Sequence, residues 1–285
     1  MILRSFLIIL ALFVSSSCIA AEKIDVFVSI PPQKWLTDKV GGEQIYTRVL
    51  VGKGQDPHTF EPSPKQIAAL SKAKIWFITG MEFEHQLTTK IRQINPKLRI
   101  VDIARDIDKL ELKEEHHHDE HWQDNQHKHD EENHADHDDK NHSEHEEYDP
   151  HVWLSPVNLK KMANTVTQAL TEQGKPNSTV YRQNNAAVQQ EITELHRAIA
   201  AQLAPFAGSA FYVYHPSFGH FAQTYRQAKA ENIKVIFVQP QFDPKSAKAV
   251  ASAIGGDVVA LDALDEDVVS SLRIMADKIS LALAR

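Results

Sequence analysis

The sequence predicts an α/β protein of two lobes, each a parallel β-sheet flanked by helices, joined by a long rigid helix. Two observations predict it. Short runs of β-branched and aromatic residues alternate with helical segments on both sides of residue 177, the pattern of βαβ units. Between the two sets lies one uninterrupted amphipathic stretch, Asn177–Leu203. No glycine-rich phosphate fingerprint follows any strand, so the α/β pattern carries no sign of a nucleotide site.

The chain opens with a segment that does not belong to the fold. Arg4 supplies one positive charge, Phe6–Val14 is an unbroken apolar run, and Ser15–Ala21 is small before the polar Glu22. This is the layout of a secretory signal peptide, residues 1–21, and the run is too short to span a bilayer. Cleavage is expected after Ala20 or Ala21. It would remove Cys18, the only cysteine, so no internal disulfide can form. Lipid anchoring at Cys18 is not expected, because Ser15 stands where an apolar residue is needed.

Residues 22–113 read as the first lobe. Lys23–Ile30 is a buried strand, Pro31 and Pro32 end it, and Gln33–Val40 is a short helix. Ile45–Val51 is a second strand, followed by a Gly- and Pro-rich loop, 52–64. A helix starts at Ser63 with Pro64 in its first turn. Lys74–Thr79 is a third strand, Glu82–Ile94 a helix, and Leu98–Asp102 a fourth strand.

A low-complexity insert, 114–149, interrupts the pattern. Residues 114–147 hold fourteen Asp and Glu against two Lys. They account for more than the whole formal charge of −7, leaving a mildly basic remainder. The net charge of −7 argues against nucleic acid as the main partner. Ten of the sixteen histidines lie here: His116, His117, His118, His121, His127, His129, His134, His137, His142 and His145. With so few apolar residues the insert cannot offset chain entropy and reads as disordered when unliganded.

Residues 150–176, a loop and the helix Pro156–Gln173, close the first lobe. In the linking helix, 177–205, Val188, Ile192, Leu195, Ile199 and Leu203 recur at steps of three and four, on one face. The second lobe, 206–285, reads as strand Ala210–Tyr214, helix Ser217–Ala230, strand Lys234–Val238, helix Pro244–Ile254, strand Asp257–Leu261 and helix Glu266–Ala284.

Three histidines outside the insert fall at strand ends or loops: His58 in DPHTFEP, His151 in DPHVWLSP, and His215 after the strand ending at Tyr214. Asp262 ends the last strand. Ligands of open α/β sheets bind beyond the carboxyl ends of the strands. The four side chains are therefore a candidate metal set for a cleft between lobes. Three imidazoles and a carboxylate suit zinc better than hard cations. Asp-Pro-His occurring twice, each time followed by an aromatic and a proline, is stronger evidence than any single histidine. His85 and His196, within helices, read as surface residues, and His220 is a weaker rival of His215.

The pair DPHTFEP and DPHVWLSP, with a His-rich acidic stretch before the second, resembles the zinc-uptake periplasmic solute-binding proteins of zinc/manganese ABC transporters. The likeness runs from VFVSIPPQKWL through VIFVQPQF to VVALDALDED. It implies two four-stranded lobes with the metal between them, held by His58, His151, His215 and Asp262. Manganese members resemble a version with Glu at the position of His215, so His there favours Zn2+ as the transported ligand. It further implies a periplasmic location and an ABC-transporter permease as partner. Auxiliary periplasmic zinc chaperones are further candidate partners, and a monomer is expected.

Three departures from the family stand out. Ala263 replaces a usual proline after Asp262, and Gln239 replaces a frequent Glu. The third is larger: on the order of 25 residues of the family pattern are missing after Tyr225, where a crossover needs only about a dozen. The second lobe is therefore expected to be shorter by one strand. The function implied is capture of Zn2+ for a permease, with the insert as a low-affinity collector or sensor. The alternatives are a manganese-binding or adhesin-type member, or a zinc hydrolase. Against the last, no HExxH motif or nucleophile elbow is present. The chain is thus not expected to be an enzyme.

Overall fold

The computed structural model describes residues 23–111, 148–226, 235–253 and 257–284. Segments 1–22 and 112–147 lie outside the described residues, and with them the signal-peptide reading and the ten insert histidines.

The first sheet has four parallel strands: β1 (Ile24–Val28), β2 (Ile45–Val49), β3 (Ile75–Ile78) and β4 (Arg99–Asp102). Their order is β2-β1-β3-β4. The second sheet, also parallel, has β5 (Tyr212–Val213), β6 (Val235–Val238) and β7 (Asp257–Ala260) in sequential order. The expected three-stranded second lobe is what the described residues form.

Around the first sheet lie α1 (Pro31–Gly41), α2 (Pro64–Leu70), α3 (Glu82–Ile94) and α4 (Pro156–Gln173). The sequence places Pro31 and Pro32 as the end of a strand; the structure makes them the first turn of α1. Proline is suited there because its missing N–H would be unpaired anyway. Ser63 and Gln66 form a reciprocal cap at α2: Gln66 N–H donates to Ser63 Oγ, and Ser63 N–H to Gln66 Oε1. Ser155 Oγ caps α4 by accepting from Asn158 N–H.

The linking helix is α5 (Ser178–Leu203), 26 residues, or about 39 Å at 1.5 Å per residue. Val188, Ile192, Leu195, Ile199 and Leu203 are all buried. The helix packs on α1 and α4 of the first lobe and on α8 (Val268–Leu283) of the second. One continuous core therefore runs through both lobes. A small separate cluster, Ile236, Val238, Ala247 and Ala251, seals the other face of the second sheet under α7 (Pro244–Ala253).

The second lobe departs from the expected boundaries. Helix α6 spans only Gly219–Thr224, not Ser217–Ala230, and residues 227–234 lie outside the described set. The last helix starts at Val268, two residues late, because Asp267 caps it by accepting from Ser270 N–H.

Candidate metal centre

Both Asp-Pro-His segments fold alike. Asp56 Oδ1 accepts the N–H of His58 at 3.0 Å, and Asp149 Oδ1 accepts that of His151 at 2.9 Å. An aspartate bonding its own backbone two residues on is an Asx-turn, and the proline between presets the bend. His58 sits on the loop after β2. His151 leads the 3₁₀ turn Val152–Leu154 into α4. His215 follows β5, with its ring 4.9 Å from that of Phe242. The aromatics after the two motifs diverge. Trp153 lies against the His151 ring at 5.3 Å, whereas Phe60 packs on Phe83.

These loops bring His58, His151 and His215 together. One ring nitrogen of each lies within 4.8 Å of the others. His58 is exposed, His151 buried and His215 between the two. The cluster fits a cation. His151 Nδ1 is 2.7 Å from Asp149 Oδ1, which leaves Nε2 to face an ion. His215 Nε2 is buried with no hydrogen-bond partner. A buried polar atom without a partner is costly unless something binds it. Burial first, then neighbouring His151 and His58, pushes His215 down to about 4. The ring is therefore neutral at physiological pH, the form that binds metal. With nitrogens no more than 4.8 Å apart, an ion amid them lies within about 2.8 Å of each; zinc–imidazole bonds are roughly 2.0–2.1 Å.

Asp262 does not join that cluster. Its Oδ1 accepts from Gln241 Nε2 at 2.9 Å and from Leu264 N–H at 3.0 Å. Gln239, which stands where many family members have Glu, donates from Nε2 to Ser217 Oγ at 2.6 Å. It ties the end of β6 to the loop behind His215. His220, the rival of His215, is buried and outside the cluster: Asn158 Nδ2 donates to its Nδ1, and its Nε2 donates to the Asp149 carbonyl. His85 is exposed as expected. His196 is instead half-buried, 3.3 Å from the Tyr225 hydroxyl.

The two ends of the insert meet beside this site. Glu111 and Tyr148 form an antiparallel bridge, and Asp149 N–H donates to the Leu110 carbonyl at 2.8 Å. Direct bonds also tie the two lobes. Trp153 Nε1 donates to the Ala263 carbonyl at 2.7 Å, and Lys34 pairs with Glu266 at 2.8 Å. Sequence reasoning did not find Asp149, Gln241 or the Trp153–Ala263 bond. For Asp149 the signal was present in the repeated tripeptide itself.

Two parallel-sheet lobes on one linking helix, with imidazoles gathered where the lobes face each other, define a metal-binding protein of the solute-binding class. The family model described as zinc-uptake complex component A, periplasmic, matches residues 26–227, and the chain belongs to that family. A crystal structure of ZnuA is 31% identical, with TM-score 0.76, covering 92% of this chain and 100% of that one. A putative metal-binding protein of Chlamydia trachomatis is 28% identical over 200 residues, 70% of this chain and 61% of its own length. The zinc-binding lipoprotein AdcA of Streptococcus pneumoniae is 25% identical over 80% of this chain and 42% of its own length. The chain thus spans about half the length of these two relatives.

Proposed function

We propose that the chain captures Zn2+ in the periplasm between its two lobes and hands it to the permease of an ABC transporter. It is a transport component rather than an enzyme. The observation that carries this reading is the cluster of three ring nitrogens within 4.8 Å, one of them buried without a hydrogen-bond partner. His58, His151 and His215 bind the ion as neutral imidazoles. Three nitrogens favour zinc over manganese, which prefers oxygen ligands. The fourth position falls to Asp262, once Gln241 releases it, or to water. Family membership and the zinc-binding relatives support the choice of ion.

The insert acts as a low-affinity collector. Its histidines and carboxylates raise the local metal concentration. Because its ends close on Glu111 and Tyr148, three residues before His151, metal caught there is held next to the tight site.

Chelator competition on the full chain, and on one lacking 114–149, tests both parts, with manganese as rival ion. The expected result is one tight zinc in both chains, not displaced by manganese, and extra weak sites only in the full one. His58→Ala, His151→Ala and His215→Ala should each weaken the tight site by at least tenfold. Unchanged affinity in all three sinks the assignment.

A further inference from the structure

We propose that Asp149 is a positioning residue for the metal centre: it fixes the His151 ring in the Nδ1–H tautomer so that Nε2 faces the ion. This rests on the reading of His151 as a zinc ligand.

Asp149 is 4% exposed and sits two residues before the ring it holds. Its Oδ1 takes two bonds from His151, one from the backbone N–H at 2.9 Å and one at the ring Nδ1 at 2.7 Å. An ionised carboxylate is an acceptor only, so the ring nitrogen facing it must carry the proton. That proton assignment gives the other nitrogen a lone pair for a metal, and the carboxylate makes it more basic. The Asx turn serves the backbone in both Asp-Pro-His segments. At His151 the same aspartate oxygen also holds the ring.

The second lobe holds Asp149 in place. A Cβ built on Gly219, the first residue of α6, would lie 2.5 Å from Asp149 Oδ2. The carboxylate therefore rests in the space that the absent side chain leaves. Gly219 has no left-handed backbone angle, so its need for small size is steric rather than conformational. Next to it, His220 donates from Nε2 to the Asp149 carbonyl at 3.3 Å, and Asn158 fixes the His220 tautomer from the other side. A histidine ligand carried by the first lobe is thus oriented by a carboxylate seated against the second.

Two readouts on the full chain test this. The first is the tautomer of His151 in the metal-free protein, read by long-range 15N–1H correlation at about pH 8, where imidazoles are neutral. The resonance lost in His151→Ala gives the assignment. The wild type should show Nδ1–H. Asp149→Ala should switch the ring to Nε2–H. Asp149→Asn should keep Nδ1–H, because its amide oxygen can accept both bonds. The second readout is zinc affinity by chelator competition, expected to fall roughly 10- to 100-fold in Asp149→Ala and less in Asp149→Asn. Gly219→Ala, which leaves Asp149 in the chain but displaces it, should shift both readouts toward the Asp149→Ala values. Should Asp149→Ala fail to fold, Gly219→Ala carries the test alone. An unchanged Nδ1–H tautomer in Asp149→Ala, or in Gly219→Ala where that is the variant that folds, overturns the proposal. A tautomer switch without any change in zinc affinity overturns instead the reading of His151 as a ligand.

Discussion

The first lobe orders its strands β2-β1-β3-β4, and among the described residues the second runs β5-β6-β7, an order that corresponds to β1-β3-β4 without a counterpart of β2. The correspondence extends to the strand ends. Asp102 closes β4 by accepting the N–H of Ala104, and Asp262, just beyond β7, accepts that of Leu264. The difference is felt at β5. Its counterpart β1 is a central strand with three consecutive residues buried, whereas β5 is an edge, with Tyr212 in it and Tyr214 just past it 44% and 40% exposed. Among the described residues, only β6 is buried along its whole length in the second sheet. Losing an edge strand thins a core and bares hydrogen-bonding groups. It does not touch the candidate ligands. His58 comes from the loop after β2 in the complete lobe, and His215 from the end of β5, which the shortened lobe keeps. The site depends on where strands end, not on how many there are.

The largest expected effect comes from applying the same truncation to both lobes. Phe77 on β3 and Phe237 on β6 are fully buried in equivalent strands. Each change to Ala should cost about 3–5 kcal/mol in denaturant unfolding. The lobes should differ in what opens. Hydrogen exchange in Phe77→Ala should accelerate throughout, since that residue sits in the larger sheet. In Phe237→Ala it should accelerate first in β5–β7, leaving β1–β4 protected. Equal acceleration in both variants would show that the missing strand has not made the second lobe a separate weak unit.

A second contrast is a buried acid. Glu84 at the first turn of α3 accepts the N–H groups of Thr79, Gly80 and Met81. Burial outweighs those bonds and pushes its carboxyl up to about 7 from 4.5. The folded state then holds a proton that the unfolded chain gives up. Its stabilising contribution is full below about pH 4.5 and is lost as pH rises through about 7. A shift of that size is worth on the order of 3 kcal/mol. Glu84→Gln keeps an amide oxygen for the N–H donors and should flatten that dependence. The measurement is denaturant unfolding at a series of pH values between 5 and 8. The same slope in wild type and variant would remove Glu84 as its source.

How far the sequence reaches differs by type of feature. Helices with strong local signals are read to the residue: α3 and α4 have the bounds their patterns predict. The buried stripe of α5 is likewise a matter of spacing. The three histidines were legible because a repeated tripeptide marks two of them and a strand end the third. What was not legible is contact between side chains and distant backbone. Nothing near His220 distinguishes it from the exposed His85; its burial is decided by Asn158 and the Asp149 carbonyl, 62 and 71 residues away. Asp262 reads as a ligand by position, yet its first use is to close its own turn. Pro31 was misread because a proline pair stops a strand and starts a helix by the same fixed angle.

The smallest effect separates what joins the lobes from what builds them. Trp153 is fully buried in the first lobe, and its indole N–H reaches the Ala263 carbonyl of the second at 2.7 Å. Trp153→Phe keeps an aromatic ring in the pocket but takes away that donor. An unpaired buried carbonyl costs roughly 1–3 kcal/mol, so stability should fall by about 2 kcal/mol. The loss should concentrate at the lobe boundary, because Ala263 follows Asp262 directly. Exchange of the Leu264 N–H, which bonds to Asp262 Oδ1, should quicken more than any amide of β1–β4. A uniform change across both sheets would mean that Trp153 acts as core filling rather than as a tie between the lobes.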